Sequence, residues 1–248
     1  MKNLDIRDEV SLLFFAVLLC TESKSGYDGS WQVAPLFCSL PYRDNCLDRL
    51  LALKQRLGDR FPQLIAFGDR RAAKAYQSQY HSITKPSYIL RLRKYGSQKR
   101  SQIRNITQIA HEEPASGGLV FSVFKPSDLE QRLRPGYVPC LISGSFLLHE
   151  DEFQMNVFFR SQSVVEFGIQ DLIFLRQFQA EMVGEVNAGR TVAKRKQVAP
   201  GALNIHFGRV IIQRRLMRHN RMFVRREQIL EPWLKIVERF MQEQQFVQ

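Results

Sequence analysis

The chain contains no CxxC pair, and its only four cysteines, Cys20, Cys38, Cys46 and Cys140, fall at irregular intervals. That pattern points away from a zinc site and from a disulfide scaffold, and it fits a reducing, cytoplasmic compartment. No metal is expected. A long apolar run is missing too: Val10 to Cys20 is far shorter than the roughly 20 residues that span a bilayer. Asp5, Asp8 and Glu9 outweigh Lys2 and Arg7 ahead of it, the reverse of a secretory signal's positive start. The run is read as a buried first helix with Asp5 or Asp8 as its N-cap, and no membrane contact is expected. Internal repeats are also lacking. Negative charge is scarce: 24 acidic residues face 36 basic ones, for a formal charge of +12 and a pI near 9.8. This balance favours anionic partners, whether phosphorylated small molecules, nucleic acid or an acidic surface.

What is present is enough apolar material for one core. With 248 residues and 44% hydrophobic content, the chain is read as a single domain over residues 1–248. Leu47 to Leu57 has the spacing of an amphipathic helix, and Gln63 to Gly68 reads as a short strand. A helix is expected from about Gln98 to His111, stopping before Pro114. Leu119 to Phe124 reads as a strand, and Leu141 to Leu148 pairs with Glu152 to Arg160 across the turn His149-Glu150-Asp151. Ile169, Leu172, Leu175, Phe178 and Met182 mark Gly168 to Val186 as a central helix. Ala202 to Gln213 is strand-like, and Gln228 to Gln245 is a closing helix with Pro232 in its first turn. Strands from distant parts of the chain mixed with helices imply an α+β fold, with helices packed on one face of a mixed sheet.

Chemistry concentrates around Cys140. It follows Pro139 at the head of one strand, Arg160-Ser161 closes the next, and Asp171 lies eleven residues beyond that arginine. Upstream, Glu113-Pro114-Ala115-Ser116-Gly117-Gly118 precedes a strand, and Tyr88 stands five residues before Arg93. In order and spacing this segment, about Pro86 to Arg214, resembles the active-site core of the thymidylate synthase and pyrimidine hydroxymethylase superfamily. The resemblance implies a thymidylate synthase-like sheet, a back-to-back homodimer, a pyrimidine nucleotide substrate and 5,10-methylenetetrahydrofolate as carbon donor. It makes Cys140 the nucleophile that adds to C6 of the ring and activates C5. Arg160 would favour the thiolate and grip the phosphate, Ser161 would add a hydrogen bond there, and Tyr88 would order the network around the sulfur. Asp171 takes the place of an asparagine that reads uracil; an aspartate there accepts from the exocyclic amine of cytosine, which favours cytidylate over uridylate.

The departures are specific. The arginine pair that holds the phosphate across the dimer is Gly117-Gly118 here, and Ile89 replaces a glycine beside Tyr88. The strand that should carry Asp, His and Tyr reads Gly208-Arg209-Val210-Ile211-Ile212-Gln213, and Ser163 replaces an aspartate used on the folate side. The apolar tail that closes over folate is unrecognisable in Gln244-Gln245-Phe246-Val247-Gln248. Arg209 would restore one lost charge, and His206 would supply a polar group. Each key residue also has a plainer reading: Cys140 as a buried apolar side chain, Arg160 as a strand-end charge, and Asp171 as a first-turn acid favoured by the helix dipole.

The leading expectation is a diverged one-carbon transferase, methylating or hydroxymethylating C5 of a pyrimidine nucleotide through Cys140. The alternative comes from the basic segments Arg214, Arg215, Arg218, His219, Arg221, Arg225 and Arg226, and Arg190, Lys194, Arg195 and Lys196. It is a protein of the same fold that has lost the reaction and serves as a basic nucleic-acid-binding or assembly module.

Overall fold

A computed structural model of the chain describes residues 6–23, 26, 29–76, 87–96, 98, 100–130, 138–217 and 223–245. The first helix, α1 (Glu9–Ser23), opens where Asp8 accepts a hydrogen bond from the Ser11 amide at 2.8 Å. That is the N-cap expected at Asp8; Asp5 lies outside the described residues. Strands β1 (Trp31–Val33) and β2 (Leu36–Leu40) follow, neither of them marked by a sequence pattern. Next comes α2 (Cys46–Arg60), which buries Leu50, Leu53 and Leu57 along one stripe.

The expected strand over Gln63 to Gly68 is instead the start of a helix, α3 (Pro62–Tyr76). Pro62 stands at its first position, where a missing N–H costs nothing. The buried residues are Leu64, Ile65, Phe67 and Gly68, a helical stripe rather than an alternation. A short α4 (Tyr88–Arg93) is capped by Ser87, and α5 (Gln102–Glu112) by Ser101, several residues later than the sequence suggested. Strand β3 (Val120–Ser122) and the single turn α6 (Ser127–Glu130) lead to the hairpin β4 (Leu141–His149) and β5 (Glu152–Phe159).

From there β6 (Gln162–Ser163) runs into α7 (Val164–Val192), longer at both ends than its core spacing announced. The single strand expected over Ala202 to Gln213 is broken in two, β7 (Ala199–Phe207) and β8 (Val210–Ile212). The break is at Gly208, whose amide donates to the Phe159 carbonyl at 2.7 Å and where a side chain would meet the Arg160 carbonyl at 2.9 Å. A hairpin of β9 (Arg215–Met217) and β10 (Phe223–Arg225) precedes α8 (Glu227–Gln245). Pro232 is the sixth residue of α8 and so lies beyond its first turn.

The class is α+β. Its main sheet has the order β2-β7-β5-β4-β3, antiparallel except for the parallel pair β5 and β7, which α7 connects. A second sheet, β1-β8-β6, follows the ends of β5 and β7, with β6 between β5 and α7 and β8 just after β7. Alternation decides which face is covered. Phe153, Met155, Val157 and Phe159 of β5, with Leu203, Ile205 and Phe207 of β7, are buried toward the helices. Their neighbours Asn156, Phe158, Asn204 and His206 line a groove on the opposite face, rimmed by the exposed Phe37 and Val120.

α7 is the axis of the molecule. Its Arg176 is buried, yet Nε donates to Glu9 at 2.6 Å and Nη1 to Gln179 at 2.8 Å. Nη2 reaches the carbonyls of Leu40 and Pro41 at 3.2 and 3.0 Å. One guanidinium therefore ties α1, α7 and the end of β2, with the acceptors a buried cation requires.

Candidate functional site

The β4–β5 register sets the geometry around the thiol. Leu141 pairs with Phe159, so the residues flanking that rung meet: the Arg160 amide donates to the Cys140 carbonyl at 2.9 Å. The Cys140 amide in turn donates to Tyr88 Oη at 3.1 Å. Arg160 folds back along the same segment, its Nε donating to the Pro139 carbonyl at 3.3 Å and its Nη2 to that of Val138 at 3.0 Å. Arg209 is brought alongside because its carbonyl accepts from the Gln162 amide at 2.9 Å.

Cys140, Tyr88 and Asp171, from three separate parts of the chain, line one cavity of about 120 Å³. Two helices complete it. Gly68, Arg71, Ala72 and Ala75 form an i, i+3, i+4, i+7 stripe on α3, and Phe167, Gln170 and Asp171 repeat that spacing on α7. Tyr76 closes one wall, stacked on Phe174 with ring centroids 3.8 Å apart and edge-on to Tyr88 at 5.4 Å. A cavity of roughly 150 Å³ admits benzene in a well-studied protein core, so this volume suits one six-membered ring, with any larger substituent reaching outward.

The electrostatics set two titrating groups against their usual values. Burial pushes the Cys140 thiol up from its ordinary 9.0; Arg160, a hydrogen bond from Ser161, and the charges of Arg209 and Arg71 pull it down without overcoming burial. The expected thiolate-stabilising arginine is thus present and outweighed. Burial also raises the Asp171 carboxyl well above the usual range, favouring the neutral acid. Its oxygens are engaged by protein donors: the Tyr76 hydroxyl on one, and Gln162 Nε2 at 2.8 Å on the other.

Arg160, Ser161 and Arg209 surround the sulfur electrostatically, while His206 stands exposed on the open sheet face, its ring 5.1 Å from that of Phe158. Gly117 and Gly118 lie in the turn before β3, and Ser116 accepts from the Gly118 amide at 3.1 Å. Gln213, exposed, follows β8, and Ile211 is half-buried within it. Arg71, Tyr76, Phe167 and Gln170 were not found from the sequence. The stripe on α3 was the available signal, hidden by the strand reading of Gln63 to Gly68.

The basic segments divide. Arg214, Arg215 and Arg225 are exposed around the β9–β10 hairpin, but Arg226 is buried, its guanidinium 3.8 Å from the centre of the Trp31 ring and donating to the Gly29 carbonyl at 2.8 Å. Arg190 is also buried and donates to the Lys196 carbonyl, while Lys196 pairs with Asp151. Arg218, His219 and Arg221 lie outside the described residues. Among the described residues no cluster of three metal-ligating side chains occurs, and no helix is long and apolar enough to cross a membrane.

Fold and site together define an α+β protein with a ring-sized cavity between α3 and its central helix α7, closed at one end by Tyr88 and Cys140. No protein-family profile and no curated protein sequence matches the chain.

Proposed function

We propose that the protein is a thymidylate synthase-like one-carbon transferase acting at C5 of a pyrimidine nucleotide, with Cys140 as the nucleophile. The observation that carries this reading is the cavity itself: Cys140, Tyr88 and Asp171, named together by their spacing, line a space the size of one ring. In the reaction, the Cys140 sulfur loses its proton and bonds to C6, and the electron pair of the C5–C6 double bond moves through the ring to make C5 nucleophilic. C5 attacks an electrophilic carbon supplied by a donor. The C5 proton is then lost as the bond from that carbon to the donor breaks and the donor leaves with the electron pair, which gives an exocyclic methylene with the sulfur still on C6. Water adds to the methylene to give hydroxymethyl, or hydride from a reduced donor gives methyl, and the electrons pushed into the ring expel the sulfur and restore the C5–C6 double bond.

Asp171 favours cytidylate in this reading. Its carboxyl accepts from the exocyclic amine of cytosine, where uracil presents only an oxygen, while still accepting from Tyr76 and Gln162. Arg71, on the cavity wall, and Arg160 and Arg209 near the sulfur provide cationic groups within a single chain for the phosphate that Gly117 and Gly118 no longer hold.

The carbon donor that the resemblance implies is less well served. Ser163, at the position assigned to folate, is buried and donates to Glu166 at 2.8 Å, and the cavity has room for one ring. The Ser163 hydroxyl is thus committed to Glu166, and no step is assigned to methylenetetrahydrofolate. The uncovered sheet face, with Phe37 67% and Val120 56% exposed, supports a back-to-back homodimer; light scattering at the mass of one chain would remove that part of the reading.

The test is turnover. Labelled cytidylate and uridylate are incubated with methylenetetrahydrofolate or formaldehyde, and products are separated by mass. Cytidylate carrying an added CH₂O or CH₂ unit is expected from the wild type and not from Cys140→Ser. Unmodified nucleotides in every incubation would defeat the proposal.

A further inference from the structure

Gln170 lies on α7 beside Asp171 and lines the same cavity, yet it is only 4% exposed. Neither its amide nitrogen nor its amide oxygen has a hydrogen-bond partner among the described residues, and both are closed off beneath α3, so an occupant of the cavity meets them only when the side chain turns out from under Gly68. A buried carboxamide with both ends unpaired is costly, and proteins seldom retain one without a partner supplied from elsewhere. α3 is held close over it by Gly68, where a side chain would stand 2.4 Å from Gln170 Nε2 and 2.6 Å from the Glu166 carbonyl. Asp171, in contrast, already accepts from Tyr76 and Gln162. The unspent donor and acceptor of this wall therefore belong to Gln170.

We infer that Gln170 is the residue that binds the ring edge of the cavity's occupant, through two hydrogen bonds to an adjacent donor and acceptor on a planar nitrogen heterocycle. The inference rests on the pyrimidine reading and deepens it. Uracil presents N3–H beside O4, and cytosine presents N3 beside its exocyclic amine; a carboxamide turned by half a rotation about Cγ–Cδ complements either. Gln170 thus supplies affinity for both bases, and Asp171 is left to choose between them. Sequence spacing directs attention to Asp171 because the superfamily's reader falls there, whereas the unpaired carboxamide is one residue earlier.

Calorimetric titration of wild type, Gln170→Met and Asp171→Asn with cytidine and uridine monophosphates tests this, alongside thermal melting without ligand. Methionine keeps the length and most of the shape but removes both polar atoms. Gln170→Met is expected to melt at or above the wild type, and to bind both nucleotides about tenfold or more weakly. Asp171→Asn is expected to change the ratio of the two affinities instead. Uridine monophosphate methylated at N3, titrated against the wild type, should show the Gln170→Met loss without any change to the protein. Binding of both nucleotides by Gln170→Met at wild-type affinity, or full affinity for the N3-methyl compound, overturns the inference and leaves the pyrimidine reading standing. Failure of the wild type to bind either nucleotide removes the pyrimidine reading and the inference with it.

Discussion

Cys140 differs from the other three cysteines in access rather than in acidity. Cys20 and Cys38 are buried, and burial pushes both thiols up to about 12; Cys46 is also buried and raised. Cys140 is raised too, but it is only partly buried and lines the cavity. Iodoacetamide should therefore label Cys140 first. Because the thiolate reacts, the rate should climb roughly tenfold per pH unit up to a pKa above 9.0. Arg160→Met removes the largest influence pulling that pKa down, so labelling at any lower pH should slow. Peptide mapping of the labelled protein checks both, and a rate independent of pH or unchanged by Arg160→Met would contradict the electrostatics described. Cys140, Tyr88 and Asp171 were legible only through the resemblance of their segment, in motif order and spacing, to the thymidylate synthase superfamily. Gln170 and Arg71 were not, since what distinguishes them is a shared cavity wall, and Tyr76 meets Asp171 across 95 residues of chain.

Among the elements, α4 and α6 are too short to persist alone, and a buried ion pair holds them together. Arg91 Nη1 and Nη2 donate to Asp128 Oδ2 and Oδ1 at 2.6 and 2.7 Å, and Nη1 also reaches the Val123 carbonyl at 2.5 Å. Burial alone would raise the Asp128 carboxyl. The Arg91 hydrogen bonds, the Lys125 amide and the two positive charges outweigh it and hold the group below its usual range. A depressed pKa contributes stability that is complete above the unfolded value, about 3.9, and is lost as pH falls through the folded one. Asp128→Ala should cost about 3–5 kcal/mol at pH 7, because it strands Arg91 in the interior. The cost should shrink below pH 4, as urea unfolding across pH would show; an equal cost at pH 7 and pH 3 would rule the account out. Since α4 carries Tyr88, the same pair fixes the hydroxyl that receives the Cys140 amide. Long elements such as α2, α7 and the β4–β5 hairpin were legible from periodicity over many residues. Gln63 to Gly68 misled because six apolar-rich residues fit either period, and only the continuation to Tyr76 decides for helix.

At the scale of the molecule, the α+β class followed from strands and helices mixed along the chain, while the residues on the covered face of the sheet emerged only with the structure. So did the split of Ala202 to Gln213, because its cause is the Arg160 carbonyl packed against Gly208 from another strand. Charge was the most easily overread property. Of the basic segments, Arg226 and Arg190 are interior ties, whereas Arg214, Arg215 and Arg225 are exposed. The central claim is that the Cys140 sulfur adds to C6 of a pyrimidine nucleotide seated in the cavity. Reversible addition alone makes the hydrogen on C5 exchangeable, so no carbon donor is required to detect it. Proton NMR of cytidylate in heavy water should show the H5 signal decaying in the presence of the wild-type protein, faster as pH rises, and persisting with Cys140→Ser. An H5 signal that survives with the wild type, or decays equally with Cys140→Ser, would contradict the account.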